Sequence, residues 1–226
     1  MIIRDSREKL EKKAAEIISS SIKRIGAEKE RVLIAVPGGR SVSGIFNFLR
    51  AEDIDWKKVH IFIMDERFVP LDHKDSNYKL AYDGLIKHLF ESGKIHLNNV
   101  HCFRYTGDIE ADMRAYEREL VSLSDRFDIV LLSSGDDGHV ACLYPNHETI
   151  NSLNEYFLYT LSSPWPPAER VTSSKKLIQK TDTSVVLFFG ENKRQAFQNY
   201  TDSNLKVEDC PIKIANEIKN IYVLVD

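Results

Sequence analysis

Three short apolar runs, VLIAV at 32–36, IVLL at 129–132 and VVLFF at 185–189, carry no polar residue at alternate positions. A strand with one wet face alternates apolar and polar residues; a run without alternation fits a strand covered on both sides. Between these runs lie segments of helical period. Residues 6–25 place Leu10, Ala14, Ile17, Ile18 and Ile22 on one face, and residues 109–123 do the same with Ile109, Met113, Tyr116 and Leu120. Further helices are expected over 42–51, 77–90 and 191–200, and further strands over 59–64, 156–161 and 220–225. Strands separated by helices imply parallel pairing and right-handed crossovers. The expected fold is α/β: an open, mostly parallel, Rossmann-like sheet with helices on both faces. No linker or repeat divides the 226 residues, so 1–226 reads as one domain.

Composition narrows the function. Apolar residues make up 42% and charged residues 29%, ordinary for a globular chain. No apolar run approaches the ~20 residues that span a bilayer. Lys plus Arg number 31 against 34 Asp plus Glu, so no overall basic field is offered to nucleic acid. A local cationic cluster can still take a small anion. Three cysteines, none in a CxxC pair, suit neither a disulfide framework nor a cysteine-built zinc site. The first residues lack a secretory apolar stretch, which favours the cytoplasm. No long heptad or apolar stripe asks for a dimer, so a monomer is expected, with no membrane or nucleic-acid partner.

In open parallel sheets, ligands bind beyond the carboxyl ends of the strands, and four expected strand ends carry unusual residues. PGGRS at 37–41 combines two glycines with a helix start, a setting in which backbone N–H groups meet an anion or simply turn the chain. Gly38, Gly39, Arg40 and Ser41 are therefore candidate ligand contacts. MDER at 64–67 sets three charges at the end of a buried strand, which is costly unless they are exposed or engaged. Asp65 could hold a sugar hydroxyl, a water or an imidazole. Arg67 could fork onto a phosphate or onto neighbouring acids. SGDDGH at 134–139 brings His139, a candidate acid or base, to a glycine-flanked turn. Lys193, in the first turn of a helix, opposes the helix dipole and hints at an anionic partner. Arg170, after the proline-rich SPWPPAE loop, is a candidate anion clamp. No HExxH, P-loop, GxGxxG or GxSxG occurs, so neither a metal nor a nucleotide nor a serine nucleophile is expected.

Taken in order, PGGRSVSGIF (37–46), MDERFVPLDHKDSNY (64–78), SSGDDGHVACLYP (133–145), SSPWPPAERVT (162–172) and FFGENKRQAF (188–197) resemble the 6-phosphogluconolactonase family, within the wider group that includes glucosamine-6-phosphate deaminase. The resemblance implies a deaminase-type α/β fold and hydrolysis of 6-phosphoglucono-1,5-lactone to 6-phosphogluconate, the second step of the oxidative pentose phosphate pathway, without a cofactor. It implies that His139 takes a proton from the attacking water and that Asp65 orients water, sugar or imidazole. The phosphate would sit among Arg40, Ser41, Arg67, Arg170 and Lys193, with N–H groups of Gly38 and Gly39 on the ligand or the oxyanion. The chain departs from the family pattern at Ser133, where glycine is usual, and at Trp165, where lysine is common.

Three rivals differ in class. A deaminase-isomerase of this group carries an acid shortly after DGH, whereas here residues 140–145 read VACLYP and the next acid is Glu148. A sugar-phosphate-sensing regulator carries a DNA-binding module ahead of the fold; here some 30 residues precede the first strand and read as a single helix. A degenerate, inactive sugar-phosphate-binding protein is the third.

Overall fold

A computed structural model describes residues 1–226. Ten strands, β1 (Ile2–Arg4), β2 (Val32–Val36), β3 (Val59–Ile63), β4 (Asp65–Arg67), β5 (Val100–His101), β6 (Ile129–Ser133), β7 (Phe157–Thr160), β8 (Arg170–Ser173), β9 (Thr183–Phe188) and β10 (Asn220–Val225), form two sheets. Seven α-helices accompany them: α1 (Arg7–Gly26), α2 (Ser43–Ala51), α3 (Asn77–Ala81), α4 (Lys87–Glu91), α5 (Ile109–Leu123), α6 (Lys175–Gln179) and α7 (Arg194–Thr201). The main sheet has the order β1-β10-β9-β6-β2-β3-β5, and every pair in it is parallel.

The unalternating runs are buried on both faces, as their sequence requires. Val32, Ile34 and Val36 of β2 face a core shared with α1, α2, α4 and Leu85 and Ile86. Leu33 and Ala35 face the opposite core, built with Met113, Tyr116 and Leu120 of α5, Leu177 and Ile178 of α6, and Ala196 and Tyr200 of α7. Each fully buried Leu, Ile or Phe contributes about 1.5–3 kcal/mol relative to exposure, so these two layers dominate the stability of the fold.

The differences from expectation are local. The 156–161 segment does not join the parallel sheet. Its strand, β7, pairs antiparallel with β8, which pairs antiparallel with β4, in a separate three-stranded sheet. The nine-residue turn between β7 and β8 is too short for a crossover, and antiparallel return is what such a connection permits. Strands β1, β4, β5 and β8 have two to four residues each, too short for a period to register. The 77–90 helix is interrupted by a π-helical turn, Tyr82–Ile86. There Gly84 lies against Phe46 of α2, 3.0 Å from where a Cβ would sit.

Strand order fixes the site. From β2 the chain builds outward through β3 and β5 on one side, and later through β6, β9 and β10 on the other. The switch point therefore falls between β2 and β6, and the crevice beyond their carboxyl ends is the binding position such sheets offer.

Candidate active site

A cavity of about 570 Å³ opens at that switch point. All nine residues expected at the site line it: Gly38, Gly39, Arg40, Ser41, Asp65, Arg67, His139, Arg170 and Lys193. Five segments distant in sequence thus converge, and each is held by identifiable contacts.

His139 sits on the turn after β6. Its Nδ1 lies 2.6 Å from Asp137 Oδ1, and the same carboxylate oxygen accepts the His139 backbone N–H at 3.0 Å. A carboxylate can only accept, so Nδ1 carries the hydrogen, and in the neutral imidazole Nε2 then holds the lone pair. No protein group bonds Nε2, and the side chain keeps 24% of its exposure. Burial raises the Asp137 carboxyl, but the His139 hydrogen bond and charge outweigh it, and the group is held below its ordinary value. Gly135 makes the arrangement possible, because a Cβ there would lie 2.1 Å from the imidazole ring. Tyr144 packs on the other side of the ring, with centroids 5.2 Å apart.

Asp65 begins β4 and is 8% exposed. Its carboxylate accepts from Asn77 Nδ2 at 2.9 Å, and Cys142 Sγ lies 3.6 Å away. Because Asp137 holds the histidine, the imidazole-orienting role drops out of the three roles open to Asp65. Asn77 also bonds the Asp65 carbonyl at 2.7 Å. This reach exists only because residue 38 is glycine: a Cβ at Gly38 would fall 1.8 Å from Asn77 Oδ1. Its neighbour Gly39 takes φ +91°, a conformation that favours glycine. The N–H groups of Gly38 and Gly39 donate to no protein acceptor.

Glu66 is not a salt-bridge partner of Arg67. It is 1% exposed and its carboxylate accepts from the backbone of Arg67, Asn77 and Tyr78 and from Ser76 Oγ, at 2.8–3.0 Å. It thereby ties the strand end to the start of α3. Burial raises its carboxyl above the ordinary value, and these four bonds only partly oppose the rise.

The cations are arranged in an unusual way. Arg67 and Arg170 stand directly opposite each other in the β4–β8 ladder, where like charges normally destabilise. Neither has a carboxylate partner. Arg67 Nη1 donates to the Asp75 carbonyl, and its Nε is buried without any partner. Arg170, 4% exposed, is less free than an anion clamp should be: Nε and Nη2 bond the carbonyls of Pro167, Trp165 and Pro166, because the proline-rich turn cannot satisfy its own carbonyls locally. Only Nη1 remains uncommitted. Lys193 is paired with Asp136, so its charge is shared rather than unopposed. Arg40 is exposed at the rim. Ser41 lines the cavity, and its carbonyl accepts Arg7 Nη2 at 3.1 Å.

Asp137, Asn77, Tyr144 and Arg7 were not among the expected site residues. Asp137 was legible as the acid two positions before His139, and Asn77 as the polar residue of the SN pair before a helix. Nothing in the sequence marks Arg7, in the first turn of an ordinary amphipathic helix. It reaches the site because α1 packs antiparallel to β9 and β10, with Arg24 at the start of β9 and the first turn at the carboxyl ends of both strands. There it stacks over Phe189 at 4.0 Å and lies 3.7 Å from Asp226.

Fold and site together define an α/β enzyme whose cavity sets a carboxylate-held histidine beside unpaired arginines, the equipment for acid–base work on an anionic small molecule. The family model described as glucosamine-6-phosphate isomerases/6-phosphogluconolactonase matches residues 5–223, and the chain belongs to that family. It is 31% identical over 192 residues to the 6-phosphogluconolactonase of Borreliella burgdorferi, covering 84% of this chain and 82% of that one. The 6-phosphogluconolactonase of Mycobacterium leprae is also 31% identical over 192 residues, 81% of this chain and 78% of that one. Among solved structures, a 6-phosphogluconolactonase from Thermotoga maritima superposes with a TM-score of 0.83 at 27% identity, covering 100% of this chain and 97% of that one. A monomeric glucosamine-6-phosphate deaminase superposes equally well, TM-score 0.83 at 21% identity over 100% and 96% of the two chains. The fold alone therefore does not separate the two activities.

Proposed function

We propose that this chain is a 6-phosphogluconolactonase that hydrolyses 6-phosphoglucono-1,5-lactone to 6-phosphogluconate, in the oxidative pentose phosphate pathway. The observation that carries the reading is His139: Nδ1 is bound to Asp137, and Nε2 is unpartnered in a cavity with unpaired arginines. Water attacks the lactone carbonyl carbon as Nε2 takes its proton. The oxyanion is held by backbone N–H groups, for which Gly38 and Gly39 are the candidates. Collapse breaks the bond from the carbonyl carbon to the ring oxygen, and imidazolium returns the proton to that oxygen as it becomes a hydroxyl. Asp137 keeps the tautomer that makes this cycle possible. Asp65, fixed by Asn77, orients the water or a sugar hydroxyl. The phosphate is met by the Arg67 guanidinium, Arg170 Nη1, Arg40, Ser41 and Lys193, and a dianion there would offset the Arg67–Arg170 repulsion.

The deaminase reading lacks support at the residues that would carry it. The segment Val140–Pro145 offers no acid, and Cys142 and Leu143 within it are buried in the core. Residues 1–226 are read as one domain, since β1 and β10, from opposite ends of the chain, pair in one sheet. Three buried free thiols suit a reducing compartment such as the cytoplasm. No helix is long and apolar enough to cross a membrane.

The test is decay of freshly generated lactone with and without the protein, against spontaneous hydrolysis. Acceleration that disappears in His139→Asn supports the reading. No acceleration, or ammonia released from glucosamine 6-phosphate, overturns it.

A further inference from the structure

Most residues lining the cavity carry polar or charged side chains. Three aromatic residues reach it: Tyr144, Trp165 and Phe189. Tyr144 and Phe189 are 4% exposed and covered by other side chains, His139 and Arg7. Trp165 is 54% exposed. Of the three, it alone leaves its ring open at the cavity, forgoing burial that the same side chain would gain in a core.

The residue is nevertheless rigidly placed. Every hydrogen bond it makes comes from its backbone: its carbonyl accepts Arg170 Nη2 at 3.2 Å and Ser163 Oγ at 3.1 Å, and its N–H meets Ser163 Oγ at 3.3 Å. Pro164 and Pro166 flank it and restrict the backbone further. Ser163 Oγ in turn bonds Tyr144 Oη at 2.8 Å, and Tyr144 packs on the His139 ring. The Trp165 backbone is thus tied both to the Arg170 guanidinium and, through Ser163 and Tyr144, to the candidate base, while its ring remains open.

A phosphosugar in ring form has two kinds of surface. Its hydroxyls and phosphate suit the Arg, Asp and Asn groups of the wall. Its C–H face, with hydrogens polarised by neighbouring oxygens, suits the electron-rich face of an aromatic ring. We propose that Trp165 is the platform for that C–H face, and that it selects cyclic phosphosugars over their open-chain hydrolysis products. The proposal rests on the lactonase reading for the substrate's name, though not for its chemistry. Discrimination of this kind would favour binding of the lactone and release of the acid, which no longer presents a ring.

Three probes separate the parts of this claim: inorganic phosphate, glucose 6-phosphate as an unreactive ring, and 6-phosphogluconate as the open chain. Their binding to the full chain and to Trp165→Ala is measured by calorimetry, with a thermal melt of each protein. Trp165→Ala should weaken glucose 6-phosphate by about 3- to 10-fold and leave the other two within about 2-fold. The KM for lactone should rise by the same factor as the glucose 6-phosphate Kd, with kcat nearly unchanged. Emission gives an independent readout, because the other tryptophan, Trp56, is 1% exposed. Glucose 6-phosphate should change the emission of the native chain but not of Trp165→Phe. Equal weakening of all three probes, or of none, overturns the platform even in an active lactonase. Ring-selective weakening in a chain without lactonase activity supports the platform and removes the lactonase reading alone.

Discussion

Two histidines in this chain are held by carboxylates. His139 Nδ1 lies 2.6 Å from Asp137, and His101 Nδ1 lies 2.9 Å from Glu119. At Nδ1 the pairs look alike, yet their second nitrogens differ. His101 Nε2 is spent on His60 Nδ1 at 3.0 Å, and its ring stacks on Phe62 with centroids 4.3 Å apart. His139 Nε2 has no protein partner and borders a cavity. The first arrangement satisfies buried polar groups at the β3–β5 edge of the sheet. The second leaves a lone pair where a reacting water can stand. A histidine–carboxylate pair becomes a candidate base only when the fold keeps the far nitrogen open, and here that depends on the switch point between β2 and β6 and on the space left by Gly135.

The largest effect should come from His139→Asn, which should lower kcat by about 10²–10⁴-fold, measured by steady-state lactone hydrolysis. Next comes Asp137→Asn, which frees the tautomer and should cost about 10–100-fold in kcat with little change in KM. If its loss matched that of Glu119→Gln, the contrast between the pairs would collapse. Glu119→Gln itself should leave kcat within about 2-fold. Between these lies Arg67→Ala, expected to raise KM about 10-fold or more, as loss of a charge-assisted hydrogen bond worth about 1.5–3 kcal/mol implies.

The structural pair makes its own prediction, in stability rather than turnover. Burial, followed by the neighbouring His101 and Arg31, pushes the His60 imidazole from 6.5 down to about 4. A depressed histidine means the unfolded chain binds the extra proton more readily. Stability is therefore intact above pH 6.5 and falls as pH drops from 6.5 towards 4. His60 is only half-buried, so solvent screening reduces the effect; His60→Gln should recover about 1 kcal/mol of the loss between those pH values. Urea denaturation at pH 7 and pH 4.5 measures it. An unchanged pH slope would mean that the edge pair carries no proton-linked strain.

The same contrast shows what the sequence made legible. The doubly buried runs at 32–36, 129–132 and 185–189 announced a parallel sheet, and the glycine- and charge-bearing strand ends marked the edge where the cavity opens. His139 and Asp65 were readable because chemistry-bearing side chains stood where a strand had to end. The three-stranded sheet was not readable, because β4 and β8 have three and four residues and depend on tertiary pairing rather than on period. Nor was the opposition of Arg67 and Arg170, a register that exists only after β4 and β8 meet. The commitment of Arg170 to the carbonyls of residues 165–167 is a consequence of loop shape, and residue type alone favoured the freer role. Arg7 shows the limit most plainly: an unremarked helical residue enters the site through the packing of α1.

The central claim is that His139, with Nδ1 held by Asp137, is the base for lactone hydrolysis. The most direct measurement is the decay of freshly made 6-phosphoglucono-1,5-lactone with the native chain, His139→Asn and Glu119→Gln side by side, above the spontaneous rate. The account predicts acceleration by the native chain and by Glu119→Gln, and loss of about 10²-fold or more in His139→Asn with an unchanged thermal melt. Near-native turnover by a folded His139→Asn protein would contradict it.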